Sequence, residues 1–141
     1  MAKILIPIDG SDPALRALQW VIDQIQNGAN HTISLLNIQP EMLTGHARAY
    51  ISKADLDAYV EEEARSALAP AEKRLADAGI DFESSHDQGY APTIIAKHVD
   101  TDKIDQIVMG TRGLNRFSGL LLGSVATGVL NLVNVPVTLI K

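Results

Sequence analysis

Gly110, Gly113, Gly123 and Ser124 follow one another as Gly-x2-Gly-x9-Gly-Ser, residue types and a spacing suited to gripping an anion with the main chain. A phosphate chain needs backbone N–H groups that no side chain obstructs, and glycine gives both close approach and access to positive φ. If a helix starts at Gly123-Ser124, its unpaired N–H groups and the positive end of its dipole strengthen the grip, and the Ser124 hydroxyl adds a hydrogen bond. The dipole is worth on the order of 1 kcal/mol per favourable charge. A triphosphate therefore also needs a cation, and Mg²⁺, which binds through substrate phosphates and one or two carboxylates, fits that need. Asp9 is the carboxylate placed to help, either toward Mg²⁺ or by accepting a hydrogen bond from a ribose hydroxyl. The same residues also admit a purely structural reading. Gly110 and Gly113 would then form a tight turn, Gly123 would let a helix pack close to a sheet, and Asp9 would satisfy a local turn.

Other chemistries find less support. No Gly-Lys-Ser/Thr is present and no Gly-x-Gly-x-x-Gly follows the first apolar run, so the Walker loop and the common dinucleotide fingerprint are both absent. Ser118, Ser124 and Thr127 lack a Gly-x-Ser-x-Gly elbow or an activating base. His31, His46, His86 and His98 show no ligand spacing and read as ordinary surface histidines. Glu61, Glu62 and Glu63 read as the wet face of a helix. Asp12, before Pro13, reads as a helix cap rather than a second cation ligand beside Asp9.

The elements that must position these residues alternate along the chain. Lys3 to Ile8, "KILIPI", is an apolar run rich in β-branched residues and predicts a buried strand. A helix follows, capped by Ser11 or Asp12, with Pro13 in its first turn, Leu15, Leu18, Ile22 and Ile25 on one face, and Asn27 and Gly28 ending it. His31 to Ile38 predicts a second strand, and Gln39 to Ser52 a loop. Ser52 and Asp55 resemble a capping box, from which Leu56, Val60, Ala64, Leu68, Ala71 and Leu75 trace a helical stripe to Gly79, with a kink expected at Pro70. Ile80 to Ser85 predicts a weaker strand and Thr93 to Val99 a helix. A strand ending at Met109, a helix over Ser124 to Leu132 and a last strand over Val135 to Ile140 complete the series. Such alternation predicts an α/β fold, a five-stranded parallel sheet with helices on both faces. Ligands of such sheets bind beyond the carboxyl ends of the strands where the strand order reverses, which directs attention to Asp9, Ile38, Gly89 and Gly110.

Composition bounds the rest. With 141 residues, 46% hydrophobic and 21% charged, the chain suits a single packed domain over 1–141. A net charge of −5 lacks the basic footprint of a nucleic-acid binder. The absence of cysteine excludes disulfides and thiolate chemistry and fits a reducing compartment. Pro7 and Asp9 interrupt the first apolar run too early for a signal-peptide core, so a cytoplasmic location is expected. The 24 residues from Phe117 to Ile140 carry no formal charge and are long enough to cross a bilayer. Ser118, Ser124, Asn131, Asn134, Pro136 and three glycines among them argue for a folded core instead.

The glycine arrangement, with "KILIPIDGSDPALRAL", "GYAPTIIAKH" and "VNVPVTLIK" around it, resembles the universal stress proteins over nearly the whole length. The ATP-binding members carry Gly-x2-Gly-x9-Gly-Ser/Thr after the fourth strand, and here that motif is complete. The resemblance implies a Rossmann-like nucleotide-binding fold of the adenine nucleotide alpha hydrolase-like kind. It implies Pro7, Asp9 and Ile38 around adenine and ribose, Met109 and Gly110 under the nucleoside, and Gly113, Gly123, Ser124 and Val125 on the phosphates. Arg112 falls at a position that varies in the family and receives no role. Members of the family commonly form homodimers by pairing the last strand, here Val135 to Ile140, an apolar edge that otherwise invites aggregation. The function implied is an ATP-binding stress-response regulator, a sensor or switch for an unknown protein partner. A slow ATP-hydrolysing or nucleotidyl-transferring enzyme is the alternative, and an interaction module with an empty pocket is a third.

Overall fold

The computed structural model describes residues 1–41, 50–112 and 122–141. Among them the order is β1 (Ala2–Pro7), α1 (Asp12–Gln26), β2 (His31–Gln39), α2 (Lys53–Asp77), β3 (Phe82–Gln88), α3 (Ala91–Thr101), β4 (Gln106–Gly110), α4 (Ser124–Leu132) and β5 (Val137–Ile140). Gly113, His46 and Ser118 lie outside the described residues.

The five strands form one parallel sheet in the order β3-β2-β1-β4-β5. Its central strands are the apolar runs of the sequence: Ile4, Leu5 and Ile6 of β1 and Ile33, Leu35 and Leu36 of β2 are all buried. Because side chains alternate across a strand, one run feeds two cores. Ile4, Ile6, Ile33 and Leu35 pack with Leu18 and Val21 of α1 and Leu68 and Leu75 of α2. Leu5 and Leu36 pack on the other face with Ile95 and Val99 of α3 and Ala126 and Val129 of α4. From β1 the chain winds outward through β2 to β3, then returns to place β4 on the other side of β1. The strand order thus reverses between β1 and β4.

Several element ends differ from expectation for local reasons. Ile80 does not open the third strand. After Gly79, at φ +69°, its N–H donates to the Leu75 carbonyl at 3.0 Å and closes the end of α2. The strand starts at Phe82 and runs three residues further than predicted, to Gln88, as a polar edge. α3 starts two residues earlier than predicted, because Pro92 occupies its first turn while its N-cap, Tyr90, makes no side-chain cap bond. The last strand begins after Pro136, whose carbonyl still accepts from Ile107 N–H at 2.9 Å. α2 continues through Pro70, which sits on the exposed face, where water can satisfy the carbonyl that proline leaves without a donor. Ser52 caps α2 as the sequence indicates, its hydroxyl accepting from Asp55 N–H at 3.0 Å. No helix among the described residues is long and apolar enough to cross a membrane.

Candidate functional site

Three chain segments meet at the reversal of strand order: the exit of β1, the exit of β4 and the start of α4. Between them lies a cleft of about 370 Å³, within the usual size range of small-molecule sites. Pro7, Ile38, Pro40, Ala91, Ile95 and Met109 give it an apolar wall, and Asp9, Gly110, Gly123, Ser124 and Val125 line the remainder. Pro7, Asp9, Ile38, Met109, Gly110, Gly123, Ser124 and Val125, separated by up to 118 positions in sequence, are thereby brought to one opening. Asp9 and Arg112 are the charged side chains among the described lining residues.

The exit of β1 is held closely. Ile8 N–H donates to the Leu36 carbonyl at 2.8 Å, which carries the pairing of β1 with β2 one residue past the strand. The buried Asn37 donates from Nδ2 to the Ile8 carbonyl at 2.8 Å and accepts from Gln39 Nε2 at 2.8 Å. Gly10 then takes φ +86°, a left-handed turn that glycine adopts without a Cβ penalty. The turn brings the N–H and hydroxyl of Ser11 back onto Oδ1 of Asp9. Ser11 is also the N-cap of α1, its hydroxyl accepting from Ala14 N–H at 3.3 Å.

The glycines have roles that spacing alone does not reveal. At Gly110 a Cβ would lie 2.8 Å from Pro13 Cβ and 3.0 Å from its carbonyl carbon, so the residue is small because α1 begins against the end of β4. Gly123 is the N-cap of α4, and its N–H donates to the Thr111 carbonyl at 2.6 Å. That amide is thus committed within the chain. Gly123 ties the start of α4 to the exit of β4. The N–H groups of Ser124 and Val125 lie in the first turn of α4 and have no acceptor within the helix. These amides, with the exposed Ser124 hydroxyl, are the donors α4 offers to an anion.

The wall supplied by α3 is secured by a group of side chains that the sequence concealed. His98 is only 16% exposed, with Nε2 2.9 Å from Asp87 Oδ2 on β3 and Nδ1 2.7 Å from Asp102 Oδ2. Lys97 Nζ reaches the same Asp87 oxygen at 2.9 Å. Burial pushes the Asp87 carboxyl up, but hydrogen bonds from Lys97, His98 and the Gln88 amide outweigh it and bring it to about 2. The hydrogen bond with His98 is the main cause that lowers Asp102 as well. His98 is therefore not the ordinary surface histidine that its spacing suggests, since its partners come from β3 and from the C-cap of α3. Asp87 lies in register with Ile38 on the adjoining strand, so the group flanks the apolar wall on the same face of the sheet.

An adenine nucleotide would suit this arrangement: the wall could receive a flat base, Asp9 could accept from its hydroxyls, and the first-turn amides of α4 could receive an anion. For Mg²⁺ the fit is narrower. Among the described residues no three histidine or acidic side chains gather to hold a metal, so the ion would come bound to phosphates, and Asp9, the one carboxylate among the described lining residues, can serve either the ion or a sugar hydroxyl.

The model of the universal stress protein family matches residues 1–141. A universal stress protein of Methanocaldococcus jannaschii is 28% identical over 141 residues, covering 99% of this chain and 81% of that protein. Among solved structures, the universal stress protein UspA from Lactobacillus plantarum aligns with a TM-score of 0.83 at 20% identity, covering 99% of this chain and 97% of the other. A universal stress protein in complex with cAMP aligns with a TM-score of 0.72 at 25% identity, with 99% and 97% covered.

Proposed function

This chain belongs to the universal stress protein family, and from that premise we propose that it binds ATP, with Mg²⁺, in the cleft between β1 and β4. The observation that carries the reading is the cleft itself, apolar on one side, with a fixed carboxylate at Asp9 and the first turn of α4 at its rim. The resemblance to a relative holding cAMP supports an adenine nucleotide as occupant. The base would lie along Ile38 and Met109, and the phosphates would take the Ser124 and Val125 amides, with Gly113 expected beside them. Mg²⁺ would neutralise phosphate charge when bound. The apolar wall would exclude water from the base, and Gly123 would hold the start of α4 in place through Thr111.

Nucleotide occupancy would act as the signal of a cytoplasmic, single-domain stress regulator and alter how it meets a protein partner. The same reading pairs two copies through Val135 to Ile140: β5 is the sheet edge, with each of its residues half-buried. Calorimetric titration with ATP and Mg²⁺ tests the binding. A saturable heat at one nucleotide per chain is expected, and no heat up to near-millimolar nucleotide would overturn the reading.

A further inference from the structure

Resting on the nucleotide reading, we propose that Ser11 is a positioning residue that aims the Asp9 carboxylate at the sugar hydroxyls of the bound nucleotide, and so sets the preference for a ribonucleotide. Both hydrogen bonds that Asp9 accepts among the described residues fall on Oδ1, from Ser11 N–H at 3.0 Å and from the Ser11 hydroxyl. Oδ2 takes none among them. Two donors from one residue fix the plane of the carboxylate as well as its place.

The hydroxyl's own orientation is determined. Ser11 is 6% exposed, so water competes little for its proton. Because its oxygen accepts from Ala14 N–H, the proton is left for Asp9. The backbone behind Asp9 is fixed too, since Asn37, 1% exposed, holds the Ile8 carbonyl. Asp9 is thus held on both sides before any ligand arrives, which lowers the ordering cost of binding.

An ionised carboxylate is acceptor-only. It attracts hydroxyl donors and repels phosphate oxygens, so within a nucleotide it selects the sugar end, the usual task of an acidic side chain at a reversal of strand order. The Ser11 hydroxyl therefore serves two ends at once, capping α1 and orienting the acceptor.

Glycine separates these tasks, because it is nearly as good an N-cap as serine and carries no hydroxyl. ATP and 2′,3′-dideoxy-ATP are titrated into the wild type, Ser11→Gly and Ser11→Thr, with thermal unfolding measured alongside. The wild type is expected to prefer ATP by about tenfold, the discrimination of one hydrogen bond to a charged group. Ser11→Gly should lose most of that preference with its unfolding midpoint nearly unchanged, and Ser11→Thr should keep it. The proposal is overturned if Ser11→Gly retains the full preference, if both nucleotides weaken equally, or if the wild type binds both equally. Wild-type protein that binds neither nucleotide would instead overturn the nucleotide reading itself, and this proposal with it.

Discussion

Gly110 at the end of β4 lies directly against Pro13 in the first turn of α1, so close that a Cβ would sit 2.8 Å from the proline Cβ. The neighbouring atoms include the Pro13 carbonyl carbon and oxygen at 3.0 and 3.1 Å, and backbone cannot rotate away as a flexible side-chain tip can. Gly110→Ala should therefore destabilise the chain by about 1–3 kcal/mol, the usual range for overpacking a tight contact. Urea unfolding of the two proteins measures this, and an unchanged midpoint would show that α1 is free to withdraw.

Ser124→Glu separates helix stability from anion binding. An acidic residue in the first turn complements the helix dipole and changes stability by only about 0.3–1 kcal/mol, in the favourable direction. The same negative charge at the proposed phosphate position should weaken ATP by at least about tenfold, since an adjacent like charge easily exceeds 1.4 kcal/mol in a partly enclosed cleft. Paired thermal unfolding and ATP titration check both effects. Undiminished affinity would remove the phosphates from α4.

Asp87 makes stability depend on pH. Its carboxyl lies near 2 in the folded chain against an ordinary value of 3.8, so folding favours the ionised form. Its contribution is complete above the unfolded value and is lost as pH falls through about 2. Asp87→Asn has no such charge to lose. The stability advantage of the wild type over Asp87→Asn should shrink by about 1–2 kcal/mol between pH 5 and pH 2, after solvent screening. Chemical unfolding at those two pH values measures it, and a constant difference would contradict the role given to Lys97 and His98.

Sedimentation velocity at micromolar concentration should show a dimer. β5 lies at the edge of the sheet, and Leu130 and Leu132 on the preceding helix are 44% and 51% exposed. A second copy would cover this surface, and a monomer would contradict the pairing.

The sequence announces those parts of the molecule whose causes are local. β1 and β2 are apolar runs because both faces are covered, and α4 follows its glycine and serine to the residue. The strand-end rule points to Asp9, Ile38, Gly89 and Gly110, and of these Asp9, Ile38 and Gly110 line the cleft while Gly89 does not. What escaped depended on partners distant in the chain or on a missing local signal. Ile80 was apolar enough to look like strand, but the turn after Gly79 uses it. Tyr90 offers no capping side chain, so the start of α3 was hidden. Nothing near Gly123 shows that its amide meets Thr111, and nothing near His98 shows Asp87, eleven residues away on another element. The double use of the Ser11 hydroxyl was likewise invisible behind its legible part as a helix cap.

If nucleotide phosphates rest on the first turn of α4, the backbone amides of Ser124 and Val125 report it most directly. In amide-resolved NMR of the isotope-labelled protein, adding ATP with Mg²⁺ should move those two resonances saturably, together with Asp9 and Ile38. Resonances that move elsewhere while Ser124 and Val125 stay in place would contradict the account.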